Sequence, residues 1–131
     1  MIVADTNLIA YLHLSGEHSA QAEQVFLRDP VWIAPRLWRS ELRNVLALYV
    51  RRQALTLPEA AEIMRAAEEL LQENEYDVVS AQVLMLAQES GCSAYDCEFI
   101  AVAMKLDTKL VTMDKKLLKA FPKRAVALSA G

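Results

Sequence analysis

Glycine is scarce in this chain of 131 residues: only Gly16, Gly91 and Gly131 are present. Three scattered glycines cannot build a P-loop or a G-x-G-x-x-G turn, so the glycine-rich phosphate cradles are excluded. With four prolines, they also leave too few tight turns for an all-β chain. Cysteine is nearly absent. Cys92 and Cys97 do not have C-x-x-C spacing and no third cysteine exists, which argues against a disulfide scaffold or a zinc site and fits a reducing compartment. Long apolar runs are lacking too. The start, Met1-Ile2-Val3-Ala4-Asp5, has no basic leader and no extended hydrophobic stretch, so the expectation is a cytoplasmic protein with no membrane span. An excess of positive charge is also missing. The net charge is −3, which by itself does not suggest a nucleic-acid partner.

What is present is ample material for a core. Hydrophobic residues make up 54 % and charged residues 24 %, which excludes disorder. The length fits one domain, 1–131, burying roughly two-thirds of its unfolded surface. The charge is lopsided. Residues 105–131 carry seven Lys or Arg against Asp107 and Asp114, while the other fifteen acids precede them. That asymmetry reads either as a basic surface beside an acidic site or as ordinary solvated helix faces.

Short apolar runs alternate with helical patterns. Ile2-Val3-Ala4 reads as a strand ended by Asp5, and residues 6–29 as helical, broken near Ser15-Gly16 and stopped by Asp29-Pro30. Val31 to Ala34 reads as a second strand, followed by a helix over 36–54. Thr56-Leu57-Pro58-Glu59 is a capping box with proline in the first turn, starting a helix that runs to about residue 73. Residues 76–79 suit a short strand. Ser80 opens a helix that Gly91 ends, and Ser93 opens another to about residue 106. Lys109 to Met113 reads as a strand, Asp114 begins a short helix stopped by Pro122, and Arg124 to Leu128 reads as a last strand. Strands alternating with helices predict an α/β fold whose parallel sheet is covered on both faces.

Four of the seventeen acids stand apart from polar helix faces. Asp5 and Asp114 each close an apolar strand, and ligands of parallel sheets bind beyond the carboxyl ends of strands. The competing reading is that each caps the following helix. Glu41 shares a helix face with Leu37, Trp38, Val45 and Leu48. A carboxylate in such a stripe is costly without a partner, and Arg39 and Arg43 lie off this face, leaving Asn44 as the nearer neighbour. Asp96 enters at the first turn of a segment, Phe99 to Met104, that is apolar on every side. It also sits where a Ser93 capping box would place it. Brought together, four carboxylates repel one another unless a metal neutralises them. An all-oxygen set selects Mg²⁺ or Mn²⁺ over zinc, and suits hydrolytic phosphoryl transfer.

At these positions the sequence resembles the PIN-domain ribonucleases, above all the small VapC-type toxins of toxin–antitoxin operons. The matching stretches are Val3-Ala4-Asp5-Thr6-Asn7, Ser40-Glu41-Leu42, Tyr95 to Ala103, and Leu110 to Leu117. The resemblance covers essentially the whole chain. It implies a single PIN-like domain with a central five-stranded parallel sheet, and a homodimer. It implies Mg²⁺- or Mn²⁺-dependent cleavage of RNA, leaving a 5′-phosphate and a 3′-hydroxyl. By position Asp5, Glu41, Asp96 and Asp114 would be the acidic quartet, catalytic and metal-holding, with Thr6, Asn7 and Thr112 supporting it. A cognate antitoxin protein would wrap the toxin and block the site. Glu98 is an extra acid, either solvated or a further ligand.

Arg36, Arg39 and Arg43, at helical spacing, and Lys115, Lys116 and Lys119, after Asp114, are candidates to hold RNA phosphates; solvated surface is the competing reading. His13 and His18 miss the i, i+4 metal spacing. Met64, Met85 and Met104 read as core fillers, and Trp32 and Trp38 as core or dimer surface. Two alternatives compete on function. A haloacid dehalogenase-type phosphatase needs Asp-x-Asp, but the second position here is Asn7, which cannot act as the acid. A non-catalytic scaffold that keeps the acids as a relic is argued against by the complete quartet.

Overall fold

The computed structural model describes residues 1–129; the last two residues of the expected domain lie outside them. Five short strands form one parallel sheet: β1 (Ile2–Ala4), β2 (Trp32–Pro35), β3 (Glu75–Tyr76), β4 (Leu110–Val111) and β5 (Ala125–Val126), in the order β3-β2-β1-β4-β5. Seven helices surround it: α1 (Thr6–His13), α2 (Ser19–Arg28), α3 (Leu37–Arg51), α4 (Leu57–Leu70), α5 (Ser80–Ser90), α6 (Ala94–Lys105) and α7 (Lys115–Ala120). Every residue of β1 and β2 is buried. Successive strand residues face opposite sides, so both faces of the sheet are covered.

Strand order reverses at β1. The chain leaves it for β2 and β3 on one side and returns to β4 and β5 on the other. The carboxyl ends of β1 and β4 therefore flank a crevice, the place where open α/β sheets bind ligands. Helix α6, with Phe99 to Ala103 buried, packs on β1, β2 and β4 and brings its first turn towards that crevice. Helix α3 reaches it from beside β2 and α1.

The element ends follow local chemistry. Thr56 and Glu59 close a reciprocal capping box at α4; Gly91 ends α5 in the left-handed region, φ 73°. With so little glycine, three other turns use left-handed non-glycine residues, Gln53, Glu73 and Asp107, each at a cost of about 1–2 kcal/mol. These turns stop α3, α4 and α6 at residues 51, 70 and 105, which is why α3 and α4 end three residues short of the sequence reading. Strand β3 is two residues long rather than four, and covers Glu75–Tyr76 instead of 76–79.

Trp32 and Trp38 are fully buried and each indole N–H is satisfied, by the Asp29 carbonyl and the Glu75 carboxylate. Both are core, not surface. Met64 packs against the core, but Met85 and Met104 are exposed, because α5 and one side of α6 face outward. Cys92 and Cys97 are free and buried. Among the described residues no helix is long and apolar enough to cross a membrane.

Candidate active site

The crevice holds a cleft of about 250 Å³ lined by Asp5, Thr6, Asn7, Glu41, Asn44, Val45, Asp96 and Asp114. All four singled-out acids are there, delivered by four separate pieces of chain: the end of β1, the middle of α3, the first turn of α6 and the end of β4. No Lys or Arg is among the lining residues. The larger hollow, about 710 Å³ beside Tyr49, Leu55 and Ile63, has no such cluster, and its Glu59 is occupied in the α4 capping box.

Each acid is held differently. Asp5 precedes α1 but makes no helix-capping hydrogen bond; its Oδ2 accepts from the Thr112 hydroxyl instead. Burial pushes its carboxyl above the ordinary carboxylate range, the Thr112 hydroxyl and the Thr6 amide offset part of that rise, and the charges of Asp96 and Asp114 add to it. Glu41 is half-buried, and its Oε1 accepts from the Thr6 hydroxyl at 2.7 Å. Its carboxyl is also raised, chiefly by burial, with Asp5, Asp96 and Glu98 contributing. Asp96 stands in the first turn of α6, where its own amide bonds the Ser93 hydroxyl at 3.0 Å; burial and the charge of Asp114 raise it. Asp114 does cap its helix: Oδ1 accepts from the amides of Lys116 and Leu117 at 2.8 and 3.2 Å. Here the capping reading holds, while leaving Asp114 on the cleft wall.

Thr112 links the two strand ends. Its hydroxyl donates to Asp5 and accepts from the Asp114 amide at 3.0 Å, and it is wholly buried. Glu98 is half-buried and lies outside the cleft lining, near enough to Glu41 to raise it. The four carboxylates stand apart, as like charges do. Among the described residues no three His, Cys, Asp or Glu side chains are drawn into a coordinating group.

The basic candidates divide. Arg39 turns away from the cleft and is committed to Glu75, at 2.6 and 2.8 Å, and to Glu68. Arg36 pairs with Asp77. Arg43 lines a separate groove between α3 and α4 with Leu46, Val50 and Met64. None of these three lines the acidic cleft: Arg39 and Arg43 stand on other faces of α3 than Glu41, and Arg36 is the residue just before the helix. Lys116 does lie beside the cleft, offsetting a small part of the rise at the Asp96 carboxyl and donating to the Gly91 carbonyl at 2.7 Å. Lys115 and Lys119 are exposed on α7. Asn44 joins the site although it was only a neighbour of Glu41 in the sequence; its i+3 offset is the signal. Tyr95 and Ser40, beside Glu41 in an adjoining groove, carried no signal of their own.

The sequence matches the PIN domain over residues 2–123. The chain belongs to the PIN-domain family. A ribonuclease, VapC3 of Pyrobaculum aerophilum, is 31 % identical over 124 residues, which span 92 % of this chain and 95 % of that protein. Solved structures share the PIN fold across 98 % of the chain. PAE2754 from Pyrobaculum aerophilum superposes with a TM-score of 0.78 at 20 % identity, over 91 % of its own chain. A toxin–antitoxin complex from Klebsiella pneumoniae does so with 0.71 at 17 % identity, over 98 % of its chain. A PIN domain has no place for a dehalogenase-type phosphatase, whose second Asp is replaced by Asn7 on this cleft wall.

Proposed function

We propose that the chain is a metal-dependent endoribonuclease, the toxin of a toxin–antitoxin pair, and that Asp5, Glu41, Asp96 and Asp114 are its acidic quartet. The observation that carries this is the cleft itself: four carboxylates from four elements at the switch point of the sheet, with no basic side chain lining it. Three of them are held above the ordinary carboxylate range, the condition of a site built for a cation. PIN-domain ribonucleases generally depend on a divalent metal, and this all-oxygen donor set fits Mg²⁺ or Mn²⁺. Asp5, Asp96 and Asp114, with Glu41, would hold it. When bound, such a cation lowers the pKa of a coordinated water and offsets charge on the phosphate.

The chain's own groups orient the acids. Thr112 fixes one Asp5 oxygen and Thr6 fixes one Glu41 oxygen, while Asp114 is pinned through the first amides of α7. Asn7 and Asn44 put uncharged amides on the cleft wall, able to hold a phosphate oxygen or the attacking water without adding charge. Lys116, at the rim, supplies a cation for the RNA backbone.

The partners follow from relatives. The Klebsiella pneumoniae neighbour is a toxin–antitoxin complex, which supports a small antitoxin as partner, blocking the cleft. Pairing of two copies of the chain belongs to the same reading. A small reading frame beside this one, whose product stops cleavage on mixing, tests the antitoxin. The enzymatic test is direct. Purified protein with Mg²⁺ or Mn²⁺ is expected to cut single-stranded RNA, and Asp5→Asn or Asp96→Asn to lower the rate at least about a hundredfold with an unchanged circular dichroism spectrum. Wild-type rates in either variant would remove that residue from the mechanism.

A further inference from the structure

We propose that Tyr95 forms the stacking wall of a subsite for one unpaired nucleobase next to the phosphate being cut. The inference rests on the endoribonuclease reading of the adjoining cleft. The chain has nine aromatic residues, of which Trp32, Trp38 and Phe99 are buried and four more half-buried. Two are exposed, Tyr95 at 64 % and Tyr49 at 37 %; Tyr49 lines a different hollow, and Tyr11, half-buried near Asp5, is not among the residues lining the cleft or its adjoining groove. A single exposed tyrosine is ordinary; its position is what counts here. Tyr95 precedes Asp96 in the first turn of α6 and walls a groove of about 220 Å³ with Leu37, Ser40, Glu41 and Asn44. Glu41 and Asn44 also line the acidic cleft, so groove and cleft adjoin across these two side chains.

The chemistry selects the occupant. The groove has no basic side chain and one carboxylate, so it repels a phosphate. Its two apolar surfaces, the Tyr95 ring and Leu37, suit a flat uncharged ring. The Ser40 hydroxyl and Asn44 amide stand beside them to meet the edge of a base. The space is smaller than the ~300–1,000 Å³ that encloses a whole drug-sized ligand, which suits a single ring. RNA presents such rings only where it is single-stranded, and aromatic side chains are the usual platform for them. The subsite would thus make the enzyme select unpaired RNA and fix the cut relative to a splayed base.

The test uses a single-stranded oligoribonucleotide carrying 2-aminopurine beside the cut, with the full-length protein. Stacking on Tyr95 is expected to quench its fluorescence with wild type, with Tyr95→Phe and with the non-cleaving Asp5→Asn, but not with Tyr95→Ala. Loss of one stacking contact is expected to raise KM about tenfold in Tyr95→Ala and leave Tyr95→Phe near wild type. An abasic site at the same position should raise the wild-type KM equally and add nothing in Tyr95→Ala. Equal quenching by wild type and Tyr95→Ala, or additive effects of the abasic site and Tyr95→Ala, would overturn the proposal. So would a Tyr95→Ala protein that alters only self-association, measured by sedimentation. Quenching that persists while no RNA is cut would instead sink the endoribonuclease reading and leave the subsite standing.

Discussion

Thr112 is a wholly buried hydroxyl that joins two acids of one site, donating to Asp5 and accepting from the Asp114 amide. Replacing it with valine keeps the shape and removes both bonds. The orphaned Asp114 amide should cost about 1–2 kcal/mol of stability. The misplaced carboxylates should lower RNA cleavage about 10–100-fold, as loss of groups that orient metal ligands does. Thr112→Ser restores the hydroxyl and should recover most of the rate, which a purely structural role would not require. The raised acids make a second prediction. A carboxyl whose folded pKa lies above its unfolded value stabilises the fold fully below the ordinary values, 3.8 for Asp5 and 4.5 for Glu41. That contribution is lost as pH rises through the raised folded values. Asp5→Asn, which can still accept from Thr112, is uncharged at every pH. In EDTA its Tm should therefore match wild type in acid and exceed it at neutral pH, by on the order of 3 °C. A gap that does not change with pH would show that the fold does not raise the Asp5 carboxyl above its ordinary range.

At the scale of elements, α3 carries two chemistries on two faces. Glu41 faces the cleft, whereas Arg39 leans the other way and ties α3 to β3 and α4 through Glu75 and Glu68. The Glu75 carboxylate is held below its ordinary range chiefly by Arg39, with the Trp38 indole also donating to it. Arg39→Ala leaves that carboxylate, whose side chain is only 9 % exposed, with weaker compensation. We expect a loss of about 2 kcal/mol of stability by urea denaturation, and unchanged cleavage per folded molecule below the transition. Reduced RNA affinity in the folded variant would return Arg39 to the nucleic-acid surface. Arg39 also shows where sequence reading stopped. Its spacing with Arg36 and Arg43 was visible, but a charge stripe does not say which acids fold back onto it, and Glu75 is thirty-six residues away. Local signals were legible: the Thr56 box, the Gly91 stop and the strand-closing Asp5 and Asp114 all depend on near neighbours. Helix ends at left-handed Gln53 and Glu73 were not, because nothing in those side chains advertises a turn.

For the whole molecule, the strand order β3-β2-β1-β4-β5 decides which residues meet. The order puts the β1 and β4 ends side by side, so acids more than a hundred residues apart share one cleft. The sequence showed which acids were out of place, and the topology supplies the reason they are together. It also places α7, with exposed Lys115 and Lys119, directly after Asp114. Much of the remaining basic tail is spent within the fold: Arg124 pairs with Asp107, and Lys109 bonds the Lys123 carbonyl. The net-acidic chain therefore offers RNA a short cationic edge rather than a broad basic face. Each phosphate neutralised on a single strand contributes about −0.7 to the slope of log affinity against log salt. If Lys115 and Lys119 each meet one phosphate, the Lys115→Ala, Lys119→Ala double variant should bind single-stranded RNA with a slope shallower by about 1.4. Fluorescence anisotropy across a salt series in the Asp5→Asn background reads this without cleavage. An unchanged slope would mean the backbone runs elsewhere, leaving Lys116 as the basic residue at the rim to guide the strand into the cleft.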